Sequence, residues 1–203
     1  MDNINSIGGM LMIGRIYITM MPLIFGGILN MLFTKTSIYK NLKSPIDKGV
    51  ILSDGKRLFG DNKTWIGFFS MIFFCIISQI LWGFVCKIKA VNELNDLYRV
   101  YDNSVLFNCV SGFIIGVVYM ICELPNSFIK RRLNIDSGKT DKGIKGVIFF
   151  VIDQIDSLLG VFALFCLFTS NGLNVFMCYL LVGALTHIII NLILYKLRVR
   201  RNV

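Results

Sequence analysis

The chain has one histidine, and its six cysteines (Cys75, Cys86, Cys109, Cys122, Cys166 and Cys178) form no CxxC pair and no Cys/His ligand spacing, which excludes the usual zinc patterns. These cysteines fall inside or at the ends of apolar runs and read as small buried apolar residues, just as His187 reads as a hydrogen-bonded packing residue. Proline is scarce, with three residues, and there is no Pro-rich linker, low-complexity tract or internal repeat, so residues 1–203 read as a single domain rather than an array. Met1 to Gly9 contains Asp2 and no Lys or Arg; the positive region that opens a cleaved signal peptide is missing, and the first apolar run is expected to be retained.

What the chain has in abundance is apolar sequence, 55% of its residues, gathered in runs too long for an ordinary soluble core. Trp65 to Cys86, Ser104 to Cys122, Gly146 to Ser170 and Leu173 to Leu194 are each about 20 residues, enough to cross roughly 30 Å of hydrocarbon as helix. Met10 to Phe33 is a fifth run. Arg15 interrupts it, but near one end, where its stem can reach the headgroups. The predicted fold is an all-α integral membrane protein of about five transmembrane helices.

The formal charge of +9 would suit nucleic acid if it were gathered on one surface of a soluble domain, but its distribution follows the spans instead. Lys and Arg number seven between Phe33 and Trp65, three between Cys86 and Ser104, six between Cys122 and Gly146, and four after Leu194. Five spans place the three basic segments on one face. The positive-inside rule makes that face cytoplasmic and puts the N-terminus outside, in a multi-pass protein of the cytoplasmic membrane. No nucleic acid partner is expected.

Within the first cytoplasmic loop, Thr34 to Thr64, the segment Val50 to Gly60 has apolar flanks around Asp54-Gly55, a turn pair that favours positive φ and predicts a small β-hairpin. Gly60-Asp61-Asn62-Lys63-Thr64 then leads into a helix start, where backbone N–H groups favour phosphate. Two look-alikes fall away. Asn62-Lys63-Thr64 fits a glycosylation sequon but lies on the cytoplasmic side, and Asp136 to Thr140 imitates the end of a P-loop without its earlier glycine or a preceding strand.

The residues fit for chemistry converge on the same face. Asp153 and Asp156, three apart in an apolar span, share one helix face and need compensation, either from Mg²⁺ or from a Lys or Arg of a neighbouring loop. Ser127-Phe128-Ile129-Lys130-Arg131-Arg132 follows the third span, and alone would pass for an anchor to anionic lipid. Together with Lys56, Arg57, Lys63 and Thr64 in the first loop, this is the inventory of phosphoryl-type transfer: cations against phosphate oxygens, a bridging metal, and positioning groups.

Three stretches, PIDKGVILSDGKRLFGDNKTWIG (Pro45 to Gly67), NSFIKRRLNI (Asn126 to Ile135) and DQIDSLLG (Asp153 to Gly160), resemble the CDP-archaeol synthase family, a branch of the lipid cytidylyltransferases that includes the CTP:phosphatidate enzymes. The resemblance implies that a membrane lipid phosphate attacks the α-phosphorus of CTP, giving CDP-lipid and pyrophosphate with Mg²⁺ required. It further implies that Asp153 and Asp156 hold the metal and that Ser127, Lys130 and Arg131 bind phosphate oxygens. Lys56, Arg57, Lys63 and Thr64 would close over the nucleotide, and Asp54 and Asp61 would either ligate metal or hold the cations; Arg132 is expected among the substrate- and nucleotide-binding residues. The His-Gly-Gly segment of the larger phosphatidate enzymes is absent, and Ser137 to Gly146 stands where archaeal members carry a Pro-rich connector. A CDP-alcohol phosphotransferase is the enzymatic rival, although its Asp-Gly-x-x-Ala-Arg core does not follow Asp156; a CTP-dependent lipid kinase or a small membrane transporter are the others. A homodimer is compatible with the size, and no motif demands it.

Overall fold

The computed structural model describes residues 2–139, 141 and 143–198, with side chains from residue 9 onward. Thr140, Lys142 and the tail cations Arg200 and Arg201 lie outside the described residues. Five long helices carry the predicted spans: α1 (Asp2–Phe33), α3 (Trp65–Val85), α5 (Val105–Arg132), α6 (Gly143–Thr169) and α7 (Leu173–Lys196). Two short helices occupy the loops, α2 (Ser37–Leu42) before the basic turns and α4 (Lys89–Asn92) on the opposite side. At 1.5 Å per residue even α3, the shortest long helix, spans about 30 Å, and all five are apolar enough to cross a membrane.

Neighbours in sequence are neighbours in space. Helix α1 packs on α3, α3 on α5, α5 on α6 and α6 on α7, and α1 also touches α5 and α7 to close the bundle. The α3–α5 contact is the tightest because Gly112 and Gly116 lie one turn apart: a Cβ would stand 2.7 Å from the Ile76 Cα at the first and 2.6 Å from the Ile72 Cα at the second. Met20, Met71, Cys75, Val161, Phe162 and Tyr179 fill the interior, while residues such as Phe69, Leu81 and Leu181 point outward as a lipid-facing surface. All six cysteines are free; Cys75, Cys86 and Cys166 are buried and the other three half-buried.

Three details depart from the sequence reading. The third span continues past Cys122 to Arg132, so Pro125 lies inside α5 rather than in a loop, and the basic run forms the last helical turn. Arg15 does not reach for headgroups but pairs with buried Asp96 of the opposite loop, whose carboxylate also accepts from the Tyr179 hydroxyl at 2.7 Å and whose N–H donates to Thr19 Oγ1. That cluster ties α1, the α4–α5 loop and α7 together at the membrane edge far from the basic loops.

The predicted β-hairpin is the third departure, since no strand forms there. Ile51 and Arg57 make an isolated antiparallel bridge, and the Leu52 and Leu58 N–H groups donate to the Lys56 and Val50 carbonyls across the Asp-Gly turn. The ladder stops there because the next donors, the N–H groups of Phe59 and Gly60, go to the Asp47 carboxylate at 3.0 and 2.9 Å. The Arg57 carbonyl is taken by the Arg132 guanidinium. An isolated two-stranded ribbon is marginal in water, and these side-chain partners outcompete it.

Candidate active site

The first loop is organised around Asp47, a residue that carried no distinct sequence signal beyond its place before Lys48-Gly49. Its buried carboxylate accepts from Arg57 Nη2 at 2.6 Å and from the backbone N–H groups of Gly49, Phe59 and Gly60. Burial alone would raise the Asp47 pKa, but the Arg57 guanidinium and the three N–H donors outweigh it and hold the group well below the ordinary carboxylate range. Arg57 also donates to Asp61 at 2.9 Å, so Asp61 holds a cation in place rather than standing free.

A second set of bonds fastens this loop to the end of α5. Lys56 Nζ donates to the Arg132 carbonyl at 2.6 Å, and Arg132 reaches back to the Arg57 carbonyl and to Asp54, with its guanidinium 4.9 Å from the Phe128 ring centre. Gly60 is the pivot: its φ is +98°, and a Cβ there would stand 2.1 Å from Ser137 Oγ. Between loop and helix lies a polar cleft of about 430 Å³ bordered by Lys56, Arg57, Gly60 and Arg131. Arg131 gives one nitrogen to Ser137 Oγ at 3.0 Å, while its buried Nε has no partner.

The aspartate pair is held by the same last turns of α5 that carry Arg131 to the cleft. Lys130 donates to both oxygens of Asp153, so the ion-pair form of compensation is realised at that residue. Asn126 Nδ2 donates to Asp153 Oδ1 at 2.6 Å and to Asp156 Oδ2 at 2.7 Å, and Asp156 Oδ1 accepts from the Ser157 N–H. Lys63, delivered by the turn before α3, pairs with Glu123 one turn upstream on α5. Burial works against the Lys63 ammonium, but Glu123 first, and Asp156 and Asp153 after it, raise its pKa above the usual lysine value.

Of the residues predicted from sequence, Asp153 and Lys130 meet directly, Asp156 joins them through Asn126, Lys63 joins their electrostatic neighbourhood, and Lys56, Arg57 and Arg131 border the cleft at the end of α5. Arg132 braces the loop. Ser127 turns its hydroxyl back to the Glu123 carbonyl, and Thr64 is buried as the α3 N-cap, bonded to the Gly67 N–H and to the Tyr39 hydroxyl. Sequence reasoning missed Glu123 and Asn126, because it ended the helix at Cys122. Continuing the 3.6-residue period through Glu123-Leu-Pro-Asn126-Ser-Phe-Ile-Lys130 places all three on one face.

Three carboxylates (Glu123, Asp153, Asp156) face two ammonium groups (Lys63, Lys130) in this cluster, and Asn126 Oδ1 is a buried oxygen with no partner. Excess negative charge and hard oxygen donors fit a divalent cation. Among the described residues no three His, Cys, Asp or Glu side chains converge on one point, so the two aspartates and the Asn126 oxygen are the donors on offer.

Fold and site together define a polytopic α-helical membrane protein with a charged site where its basic loops meet the helix ends. The chain belongs to the CDP-archaeol synthase family: the CarS-like family model for CDP-archaeol synthase matches residues 20–203. Among its relatives are the CDP-archaeol synthase of Methanocaldococcus jannaschii, 27% identical over 77% of this chain and 81% of that protein, and that of Methanoculleus marisnigri, 29% identical over 77% and 87%. A solved structure of an intramembrane enzyme for archaeal membrane lipids biosynthesis shares the fold, with a TM-score of 0.59 over 87% of this chain and 92% of that one at 22% identity.

Proposed function

We propose that this protein is a CTP-dependent cytidylyltransferase that converts an archaetidic acid-like lipid phosphate and CTP to CDP-lipid and pyrophosphate. The observation that carries the reading is that the last turns of α5 serve both features: Asn126 and Lys130 hold the Asp153–Asp156 pair, and Arg131 borders the cationic cleft with Lys56 and Arg57. A lipid phosphate oxygen forms a bond to the α-phosphorus of CTP as the bond to the bridging β-phosphate oxygen breaks, and pyrophosphate leaves. No general base is required, since a phosphomonoester with a second pKa near 6 is mostly dianionic at pH 7. The protein's contribution is placement and charge. Arg131 and Lys56 face the phosphates of CTP from the cleft, Lys63 and Lys130 neutralise charge near the reacting groups, and the Asp47-centred loop keeps the cations converged.

Asp153 and Asp156 would hold Mg²⁺, which would supply positive charge against the phosphates of CTP. The lipid reading has its own support. A small apolar cleft of about 80 Å³ between α1 and α7, bordered by Met20, Ile24, Ile190 and Leu194, shares Gly27, Met31 and Tyr119 with a cavity of about 180 Å³ that contains Lys63 and Glu123. An isoprenoid or acyl chain in the first leads its phosphate toward the second. His187 borders that cleft with Nδ1 3.3 Å from the Gln154 carbonyl, a packing role rather than a chemical one. The basic loops lie on the cytoplasmic side of the cell membrane, where CTP is found.

The test is purified protein in detergent with Mg²⁺ and α-labelled CTP, offered archaetidic acid or phosphatidic acid in separate reactions. Label in the lipid phase with pyrophosphate release is expected, strongest with archaetidic acid, and Asp153→Asn or Asp156→Asn should lower turnover by orders of magnitude in folded protein. Wild-type activity in both variants across a Mg²⁺ titration would sink the metal assignment, and labelled CDP in place of pyrophosphate would convert the reading to a kinase.

A further inference from the structure

Asn126 touches both aspartates, and its own hydrogen bonding is incomplete. It is 7% exposed, on α5 directly after Pro125, and its carboxamide has one nitrogen with two hydrogens and one oxygen. The nitrogen is fully used, one bond to each aspartate at 2.6 and 2.7 Å. The oxygen is buried and unpaired. Buried acceptors are rarely left without a partner, and a side chain whose task were only to clip α5 to α6 would have been placed where both its ends are satisfied.

Turning the carboxamide over would give the oxygen a neighbourhood but set it against two anions, which is tolerable only with a positive charge between them. Lys130 does not supply that charge to both, because its bonds go to Asp153, while Asp156 is met by the Asn126 nitrogen and the Ser157 N–H. A divalent cation between the carboxylates would expel the N–H groups and accept the amide oxygen, a hard donor of the kind such cations take from Asn side chains.

We propose that Asn126 is a positioning residue that switches with the metal: its nitrogen holds Asp153 and Asp156 together when no cation is bound, and its oxygen becomes a third protein ligand when one is. This rests on the assignment of a divalent cation to the two aspartates. The carboxamide thereby keeps the pair assembled between turnovers without adding a third charge, which explains Asn rather than Asp at this position.

The experiment is Mn²⁺ titration of the full chain in detergent, without CTP or lipid, with bound ion counted from the loss of the free-ion electron paramagnetic resonance signal and the unfolding midpoint recorded in parallel. Asn126→Ala should raise the Mn²⁺ Kd by about tenfold or more. Asn126→Asp, which supplies a charged oxygen, should lower the Kd below wild type and make the unfolding midpoint depend steeply on Mn²⁺. A lower midpoint in Asn126→Ala with an unchanged Kd would reduce the residue to a structural clip and overturn the proposal. If Asn126→Ala does not fold, Asn126→Asp decides, and a Kd no tighter than wild type overturns it. Asp153→Asn and Asp156→Asn separate the two layers: wild-type binding that survives both, or wild type that binds no Mn²⁺, refutes the aspartate metal site and this inference with it. Aspartate-dependent binding indifferent to residue 126 refutes this inference alone.

Discussion

Glu123→Gln tests whether the Lys63–Glu123 pair is the brace that fixes the first loop to α5. The two side chains are only 19% and 21% exposed, and the pair bridges the turn before α3 to the helix that carries Asn126 and Lys130. Removing one member of a buried ion pair costs about 3–5 kcal/mol because the other charge is stranded. Here roughly a fifth of each side chain still meets solvent, and Asp153 and Asp156 partly compensate Lys63, so a loss of about 2–3 kcal/mol is expected. Removing both charges, in Lys63→Met with Glu123→Gln, strands nothing and loses only a charge-assisted hydrogen bond, about 1–2 kcal/mol. For a chain of this length those values correspond to drops in unfolding midpoint of roughly 4–12 °C for the single variant and roughly 2–8 °C for the double.

The assay is a thermal double-mutant cycle in detergent at pH 7.5. Because the folded Lys63 pKa is raised, the pair's contribution is fully present below the ordinary lysine value and is lost only as pH rises through the raised one, so the cycle should read the same at pH 6 and pH 8.5. Additive losses, with the double variant as unstable as the sum of its parts, would refute the brace.

Gly60→Ala should cut CTP affinity severalfold or more, since the residue has φ +98° and its new methyl meets Ser137 Oγ, and Ser137→Ala should restore part of that loss in a CTP-binding titration. Arg131→Ala should raise the KM for CTP by about tenfold per 1.4 kcal/mol of lost phosphate contact, with Arg131→Lys recovering only some of it in steady-state kinetics. Asp47→Asn should destabilise the first loop by about 1.5–3 kcal/mol, read as faster proteolysis near Gly55. The folded Asp47 pKa is depressed, so its contribution in the wild type is intact above the ordinary carboxylate range and fades only as pH falls through the lower folded value; protection should be flat from pH 5 to 8.

The spans were legible because membrane burial writes itself as uninterrupted apolar runs, and four of the five helices begin within three residues of the predicted start; the exception is α1, which extends upstream to Asp2. The failures share a cause. At Val50 to Gly60 the local signal for a hairpin was sound, and the Asp-Gly turn is there, but Asp47 and Arg132 claimed the donors and acceptors a ladder needs. At Cys122 the hydropathy drop marked the edge of the apolar run, not the end of the helix, which hydrogen bonding carries on for ten more residues. Polar residues at a membrane surface lose their hydropathy signal exactly as they gain function, so Glu123 and Asn126 are found by helical phase and not by composition. The Asp47 hub had no sequence signal of either kind, because all its partners are backbone groups or one arginine ten positions away.

The extension of α5 past the apolar run has a consequence for how the site is built. Had the helix ended at Cys122, Glu123, Asn126, Lys130 and Arg131 would hang on a loop, and each would need its own ordering. A continuous helix fixes Glu123, Asn126, Lys130 and Arg131 relative to one another at no further entropic expense, and one contact with α6 then registers all of them against Asp153 and Asp156. The contact with α3 through Gly112 and Gly116 fixes the other end of the same rod, and α3 begins at the turn that delivers Lys63. The positions of the site cations therefore follow from helix packing inside the apolar core, and the first loop has only to close over a frame already set.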